Sequence, residues 1–270
     1  MMLELYHNDM SVCAQKVRLV LEYKGIPWQG HHLNLRAGDQ FKPSFRQINA
    51  KGLVPVLVDD GAVITESNAI IEYLEDTVEG HPLRPVDAAL RAKMRGWLIR
   101  LDAGLHEHVA AISFCVAFRH QLLQRYPDTE QIERFIDQIP DPGRAGFMRD
   151  VLPNGVASKR FSLALYSYNQ LLADMDDALQ QRAWLAGDQL SLADFSYVPY
   201  IDRLDQLQLS FWWRDRPAIA DWLERMRGLP AYGTAIQQWN NNDYLQLMAG
   251  HGRESAPEVQ RVLAALVTEA

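Results

Sequence analysis

From residue 3 to about residue 78, short apolar runs of strand character alternate with segments whose apolar positions recur at helical spacing, which predicts an α/β arrangement. Leu3–His7 reads as a strand. Cys13, Val17, Val20 and Leu21 then fall at helical spacing, with Gly25 placed to end that helix. Residues 28–33 form a second strand. Residues 54–58 and 62–65 flank Asp59-Asp60-Gly61, and Asp-Gly accepts the positive φ angles of a tight hairpin turn. Ser67 is placed to cap a helix whose Ile70, Ile71, Leu74 and Val78 share one face. The order is β-α-β, a connecting segment, then β-β-α.

Gly80, Pro82 and Pro85 interrupt the pattern and predict a linker between a unit at 1–79 and one at 88–270. Beyond it almost every segment is helical. Met94, Leu98, Leu101, Leu105 and Ile112 sustain one long amphipathic helix, and residues 161–179, 192–207 and 217–227 supply others. Pro199 predicts a bend in the second of these. Residues 126–158 hold Pro127, Pro140, Pro142 and Pro153 and read as an irregular excursion. The tail predicts only a short helix at 257–267.

A chain of 270 residues that is 48% hydrophobic can bury the core of one large domain or two ordinary ones, and two is preferred. The net charge of -7 argues against a nucleic-acid or anionic-membrane partner. Cys13 and Cys115 are too few for a disulfide framework, and no basic, apolar leader precedes the first strand, so a cytoplasmic address is expected. No run approaches the ~20 apolar residues of a membrane span. No metal-ligand spacing is convincing.

Three segments carry the candidate chemistry. Ser11-Val12-Cys13-Ala14-Gln15-Lys16-Val17-Arg18 puts a hydroxyl at a helix N-terminus directly after a strand, where backbone N–H groups favour negative charge and a hydroxyl can donate to a thiolate. Lowering a thiol pKa by ~2 units takes about 2.7 kcal/mol of differential stabilisation. Taken alone, Ser11 reads first as a plain N-cap. In Asn49-Ala50-Lys51-Gly52-Leu53-Val54-Pro55-Val56-Leu57, Pro55 enters a strand where a cis peptide is the usual turn, leaving the Val54 N–H and C=O to pair with an extended peptide; a structural turn explains it as well. In Ile64-Thr65-Glu66-Ser67-Asn68, a carboxylate beside a helix-terminal hydroxyl suits a zwitterionic amino-acid end.

In this order, the segments resemble the glutathione transferase superfamily, and the resemblance covers most of the chain. It implies a thioredoxin-like α/β N-terminal domain that binds glutathione as co-substrate, at 1–79, and an all-α C-terminal domain that supplies an electrophile pocket, at 88–270. Carried over residue by residue, it implies that Ser11 activates the glutathione thiol. Val54 before cis-Pro55 pairs with the cysteinyl backbone, Glu66 and Ser67 bind the γ-glutamyl end, and Gln40 lies where the glycyl carboxylate is often reached. Ser191-Leu192-Ala193-Asp194 looks like the family's N-capping box, a folding element. Leu53 departs from the pattern, standing where some classes have Lys or Gln. Cys13 is the alternative nucleophile, although the rotation between it and Ser11, and its place on the Val17 stripe, turn it from the same sulfur. The resemblance also implies a homodimer in which Asp102 reaches the γ-glutamyl ammonium across the interface.

The stretch around Glu72-Tyr73-Leu74-Glu75-Asp76, Leu83-Arg84-Pro85-Val86-Asp87 and Arg91-Ala92-Lys93-Met94-Arg95-Gly96-Trp97, with the excursion, is similar to bacterial glutathione-dependent β-etherases. Glutathione attack on a small hydrophobic electrophile, aryl ethers included, is therefore the leading expectation. Thiol-disulfide exchange or peroxide reduction through Cys13 is the second, and a non-enzymatic interaction protein the third. Phe114, Phe118, Tyr166, Trp212 and Trp213 are pocket candidates that also read as core. His106 and His108 could protonate a leaving phenolate, but read first as a solvated helix face.

Overall fold

The computed structural model describes residues 3–268. Strands β1 (Leu3–His7), β2 (Trp28–His32), β3 (Val56–Asp59) and β4 (Ala62–Ile64) form one sheet in the order β2-β1-β3-β4. β1 pairs parallel with β2 and antiparallel with β3, which pairs antiparallel with β4. The parallel pair needs a crossover, and helix α1 (Val12–Tyr23) provides it. Leu3, Leu5 and His7 alternate inward along β1, and Leu5 faces Leu57 in register. The α1 terminus closes as read from Gly25: with φ 67°, its N–H reaches the Glu22 carbonyl while the Ile26 N–H reaches Leu21. The β3–β4 hairpin likewise turns on positive φ at Asp60 and Gly61.

Two further helices complete this part, α2 (Pro43–Arg46) and α3 (Ser67–Thr77). Ser67 does not cap α3 as expected. Glu66 holds the N-cap position at φ 65° without a side-chain cap bond, and Ser67 is the first helical residue. The tight exit from β4 imposes this left-handed conformation and leaves the Ser67 hydroxyl unclaimed by the cap.

The long helix expected from 94 to 112 is real but interrupted. α4 (Ala88–Arg100), α5 (His106–Ser113) and α6 (Arg119–Arg125) run on through π turns at Leu101–Leu105 and Phe114–Phe118. Gly104, at φ 134°, takes a conformation inside the first π turn that side chains rarely adopt.

The excursion is ordered, not irregular. It forms α7 (Thr129–Ile136) and α8 (Pro142–Asn154), around a small core of Leu122, Phe135, Ile136, Ile139, Ala145, Met148 and Leu152. Its prolines misled because Pro142 occupies the first turn of α8, where no backbone donor is lost, and Asp128 and Asp141 cap the two helices. The tail differs too. After α9 (Lys159–Gln181), α10 (Leu192–Gln206), α11 (Pro217–Arg227) and α12 (Pro230–Ala235), helix α13 runs Asn242–Thr268 with Pro257 inside it. Buried Met248, Val259 and Val262 supply the tertiary packing that carries it past that proline.

α1 packs between α3, α10 and α12, which explains why its polar residues are buried. Lys16 Nζ donates to Asn68 Oδ1 at 2.6 Å, and Asn68 Nδ2 donates to the Leu98 carbonyl at 2.9 Å, joining α1, α3 and α4. Arg18 donates to the carbonyls of Asn8, Asp9 and Ala235, so its buried charge is satisfied. At the α10 start, Asp194 accepts from the Leu185 and Ser191 amides, the Ser191 hydroxyl and Trp222 Nε1, completing the capping box.

Candidate active site

Ser11 occupies the N-cap of α1, and its Oγ accepts from the Ala14 amide at 3.3 Å. A hydroxyl that accepts in this way still holds a proton to donate, so the cap and a sulfur contact are compatible. Val54 precedes a cis Val54–Pro55 peptide and lies outside the β1–β3 register, which begins at the Tyr6–Val56 pair. Glu66 is exposed and pairs with Lys51 Nζ at 2.7 Å, while Ser67 beside it is buried. These groups sit at the ends of adjacent elements and suit an extended peptide with an ammonium-bearing end. Gln40 fits less well. Its Nε2 donates to the Leu35 carbonyl, and the buried atom left without a partner is Oε1, an acceptor that does not suit a carboxylate. Asp102 is exposed on the first π turn, where it and Glu66 both act on the Lys16 ammonium of the same chain.

The densest chemistry lies around Cys13. Its Sγ stands 3.5 Å from His106 Nδ1 and 3.6 Å from the Tyr200 hydroxyl, and those two are 3.1 Å apart. Burial pushes the Cys13 thiol up. The charge and hydrogen bond of His106, the Lys16 charge and the nearby Ser67 hydroxyl together outweigh it and bring the thiol down to about 6. The Cys13 charge in turn raises His106 against burial. Burial holds Tyr200 well above the ordinary phenol range, so it remains a neutral donor. Cys13 is half-buried and His106 exposed, so the pair is open to solvent at the junction of α1 and α5.

His106 is exposed, as a solvated helix face would be, but its Nδ1 also meets the Cys13 thiol. The π turn at Gly104 sets His106 toward Cys13, so that the thiol faces the cleft although the helix around it packs on the core. His108 is half-buried with Nδ1 unpartnered, beside Gly104. Of the aromatic candidates, Trp212 and Trp213 are buried in the main core and Tyr166 is exposed on α9. Phe114 meets Phe118 at 5.8 Å and Phe147 at 6.0 Å, forming a wall that Arg36 covers. Among the described residues no cluster of three His, Cys, Asp or Glu could hold a metal. Sequence reasoning passed over Tyr200 and Lys16, for which spacing carried no signal. An isolated glycine in a helical pattern, Gly104, was the available clue to His106.

Residues 10–77 match the family model for the glutathione S-transferase N-terminal domain, and residues 150–225 that for the C-terminal domain. Glutathione S-transferase Z2 of Arabidopsis thaliana is 44% identical over 237 residues, covering 87% of this chain and 91% of that relative. The tetrachloro-p-hydroquinone reductive dehalogenase of Sphingobium chlorophenolicum is 26% identical over 242 residues, 86% of this chain and 94% of its own. The crystal structure of the β-etherase LigF from Sphingobium sp. matches with a TM-score of 0.79 at 26% identity, over 88% of this chain and 100% of that one. With both family models matched and a relative of such identity spanning most of both chains, this chain belongs to the glutathione S-transferase family.

Proposed function

We propose that this transferase works with two thiols, one from glutathione and one from Cys13, on an aromatic electrophile of the aryl ether or aryl halide class. The observation that carries the reading is the contact of Cys13 Sγ with His106 and Tyr200, which holds a thiolate at neutral pH. Glutathione binds through the Val54 backbone, Glu66 and Ser67, with Asp102 adding negative charge near the γ-glutamyl ammonium. Gln40 borders the glycyl end. Ser11 donates to the glutathione sulfur, whose thiolate attacks carbon and expels halide or phenolate, forming a thioether.

Cys13 thiolate then attacks the glutathione sulfur of that thioether. The carbon–sulfur bond breaks and its electron pair leaves with a carbon next to a carbonyl, that of the aryl ether ketone or of the hydroquinone thioether in its keto tautomer, and the His106–Tyr200 pair supplies the proton. A second glutathione thiolate attacks the Cys13 mixed disulfide and releases oxidised glutathione. The balance is R–X plus two glutathiones giving R–H, HX and glutathione disulfide. Support comes from the names of two relatives, one a β-etherase and one a reductive dehalogenase. The enzyme is proposed to act in the cytoplasm as a homodimer, following family usage.

The test is single-turnover product analysis with a chlorinated hydroquinone and an aryl ether ketone. The wild type should yield R–H and transiently carry one glutathione on Cys13 by intact mass. Cys13→Ser should stop at the thioether, and Ser11→Ala should slow thioether formation. A wild type that releases only thioether, with no adduct at Cys13, rejects the two-thiol reading and leaves simple conjugation.

A further inference from the structure

Around the cleft, most guanidinium groups are engaged. Arg203 donates to the Met10 carbonyl, Ser113 Oγ and Gln206 Oε1. Arg119 holds the carbonyls of Leu152 and Pro153, and Arg149 pairs with Glu133 and Asp137. Arg144, in the first turn of α8, differs. Its backbone N–H is bonded to Asp141 Oδ1 at 2.7 Å, but its side-chain Nη1 is buried with no hydrogen-bond partner. A buried guanidinium nitrogen without an acceptor is costly unless a ligand supplies one.

The Arg144 charge is felt at His106, and one turn further along the helix Phe147 packs edge-on against Phe114. Across the same wall lies Arg36, from the loop after β2, 5.3 Å from the Phe114 ring and 4.7 Å from Phe118. Arg36 Nε donates to Gln121 Oε1 at 2.9 Å, and no hydrogen bond leaves its two terminal nitrogens among the described residues. The loop and the excursion are tied together, since Tyr126 donates to the Arg36 carbonyl at 3.4 Å and Phe41 meets Phe135 at 5.8 Å. Arg36 thus covers the Phe114–Phe118 face, and Arg144 lies one helical turn before the Phe147 that closes it.

We infer that Arg144, assisted by Arg36, forms an oxyanion-binding subsite at the electrophile end of the cleft, which selects aromatic substrates bearing a phenolate or carboxylate oxygen. The ring lies on Phe114 and the oxyanion takes the planar N–H fork that Arg144 leaves unused. The inference rests on the aromatic electrophile proposed above, but not on the role of Cys13. It would also give the excursion a function, since α8 carries both Arg144 and Phe147.

Binding of non-reacting probes separates the two proposals. Calorimetry in saturating S-methylglutathione would compare benzoate with benzamide, and 2,4-dinitrophenolate with 1,3-dinitrobenzene, which has no leaving group. The wild type should prefer at least one anion over its neutral counterpart by about tenfold or more, the range of a charge-assisted hydrogen bond; which anion gains identifies the oxygen. Arg144→Gln should remove that preference, Arg144→Lys should retain part of it, and Arg36→Gln should reduce it. Equal binding of anion and neutral ring by the wild type overturns the inference whatever the variants do. So does an Arg144→Gln protein that keeps the preference, or one that loses S-methylglutathione affinity instead, which would assign Arg144 to the glycyl carboxylate.

Discussion

Cys13 and His106 lie 93 positions apart in sequence, yet the thiol of one stands 3.5 Å from Nδ1 of the other. The contact spans the two domains, one partner on α1 and the other just past the first π turn. The thiolate and the imidazole favour each other's charged form, the thiol being lowered by His106 and the imidazole raised by Cys13.

The pair gives a pH signature. With the thiol at about 6, Cys13 is mostly thiolate at pH 7 and loses that form as pH falls through 6. The iodoacetamide alkylation rate of Cys13 should therefore be half-maximal near pH 6. His106→Ala removes the main lowering influences and should move the midpoint above about 8. Cys115 serves as an internal control, since burial pushes it up to about 12 and it should stay unlabelled in folded protein. A wild-type midpoint at the ordinary thiol value, near ~8.5, would mean that the pair does not form.

Gly104 should be needed for that pair. At φ 134° and ψ -20° a side chain is strained, and such strain typically costs about 1–3 kcal/mol. Gly104→Ala should lower the melting temperature and also raise the Cys13 alkylation midpoint, as relaxation toward a regular helix rotates His106 away. In a His106→Ala background the same change should leave the midpoint alone. If Gly104→Ala melts earlier while the wild-type midpoint is retained, the π turn is structural and does not aim His106.

The parts of this protein that were legible in sequence are those fixed over a few residues. The β3–β4 turn needed only Asp60-Gly61, the end of α1 only Gly25, and the Val54–Pro55, Glu66 and Ser67 features each lie within one short segment. The excursion was misread because a proline at a first helical turn looks like a helix breaker until its cap is recognised, as at Asp141-Pro142. The tail was misread because propensity at Pro257 is overridden by packing. His106, Tyr200 and Lys16 come to Cys13 from α5, α10 and α1, and no spacing along a chain encodes such a meeting. Ser67 shows a finer failure: it was read as the cap of α3, but one position of register puts Glu66 at the cap and Ser67 inside the helix, near enough to lower the Cys13 thiol.

His7 sets an acid limit on stability. It is fully buried on β1, with Nδ1 3.1 Å from Arg18 Nη1, Nε2 unpartnered and the Trp239 ring edge-on at 4.6 Å. Burial, then the charges of Arg18, His32 and His31, pull its pKa down to about 3 from 6.5. Between those values the unfolded chain binds a proton that the folded chain refuses, so stability is full above about pH 6.5 and is lost as pH falls toward 3. By pH 5 the loss from this residue should reach roughly 2 kcal/mol, at 1.36 kcal/mol per unit. His7→Phe removes the titration while keeping a buried ring, and Arg18 Nη1 retains the Asn8 carbonyl at 2.9 Å. Urea unfolding at pH 7 and pH 5 should show a smaller drop for His7→Phe than for the wild type. The other histidines are common to both proteins, so the difference isolates His7, and identical drops would show that it is protonated in the folded state.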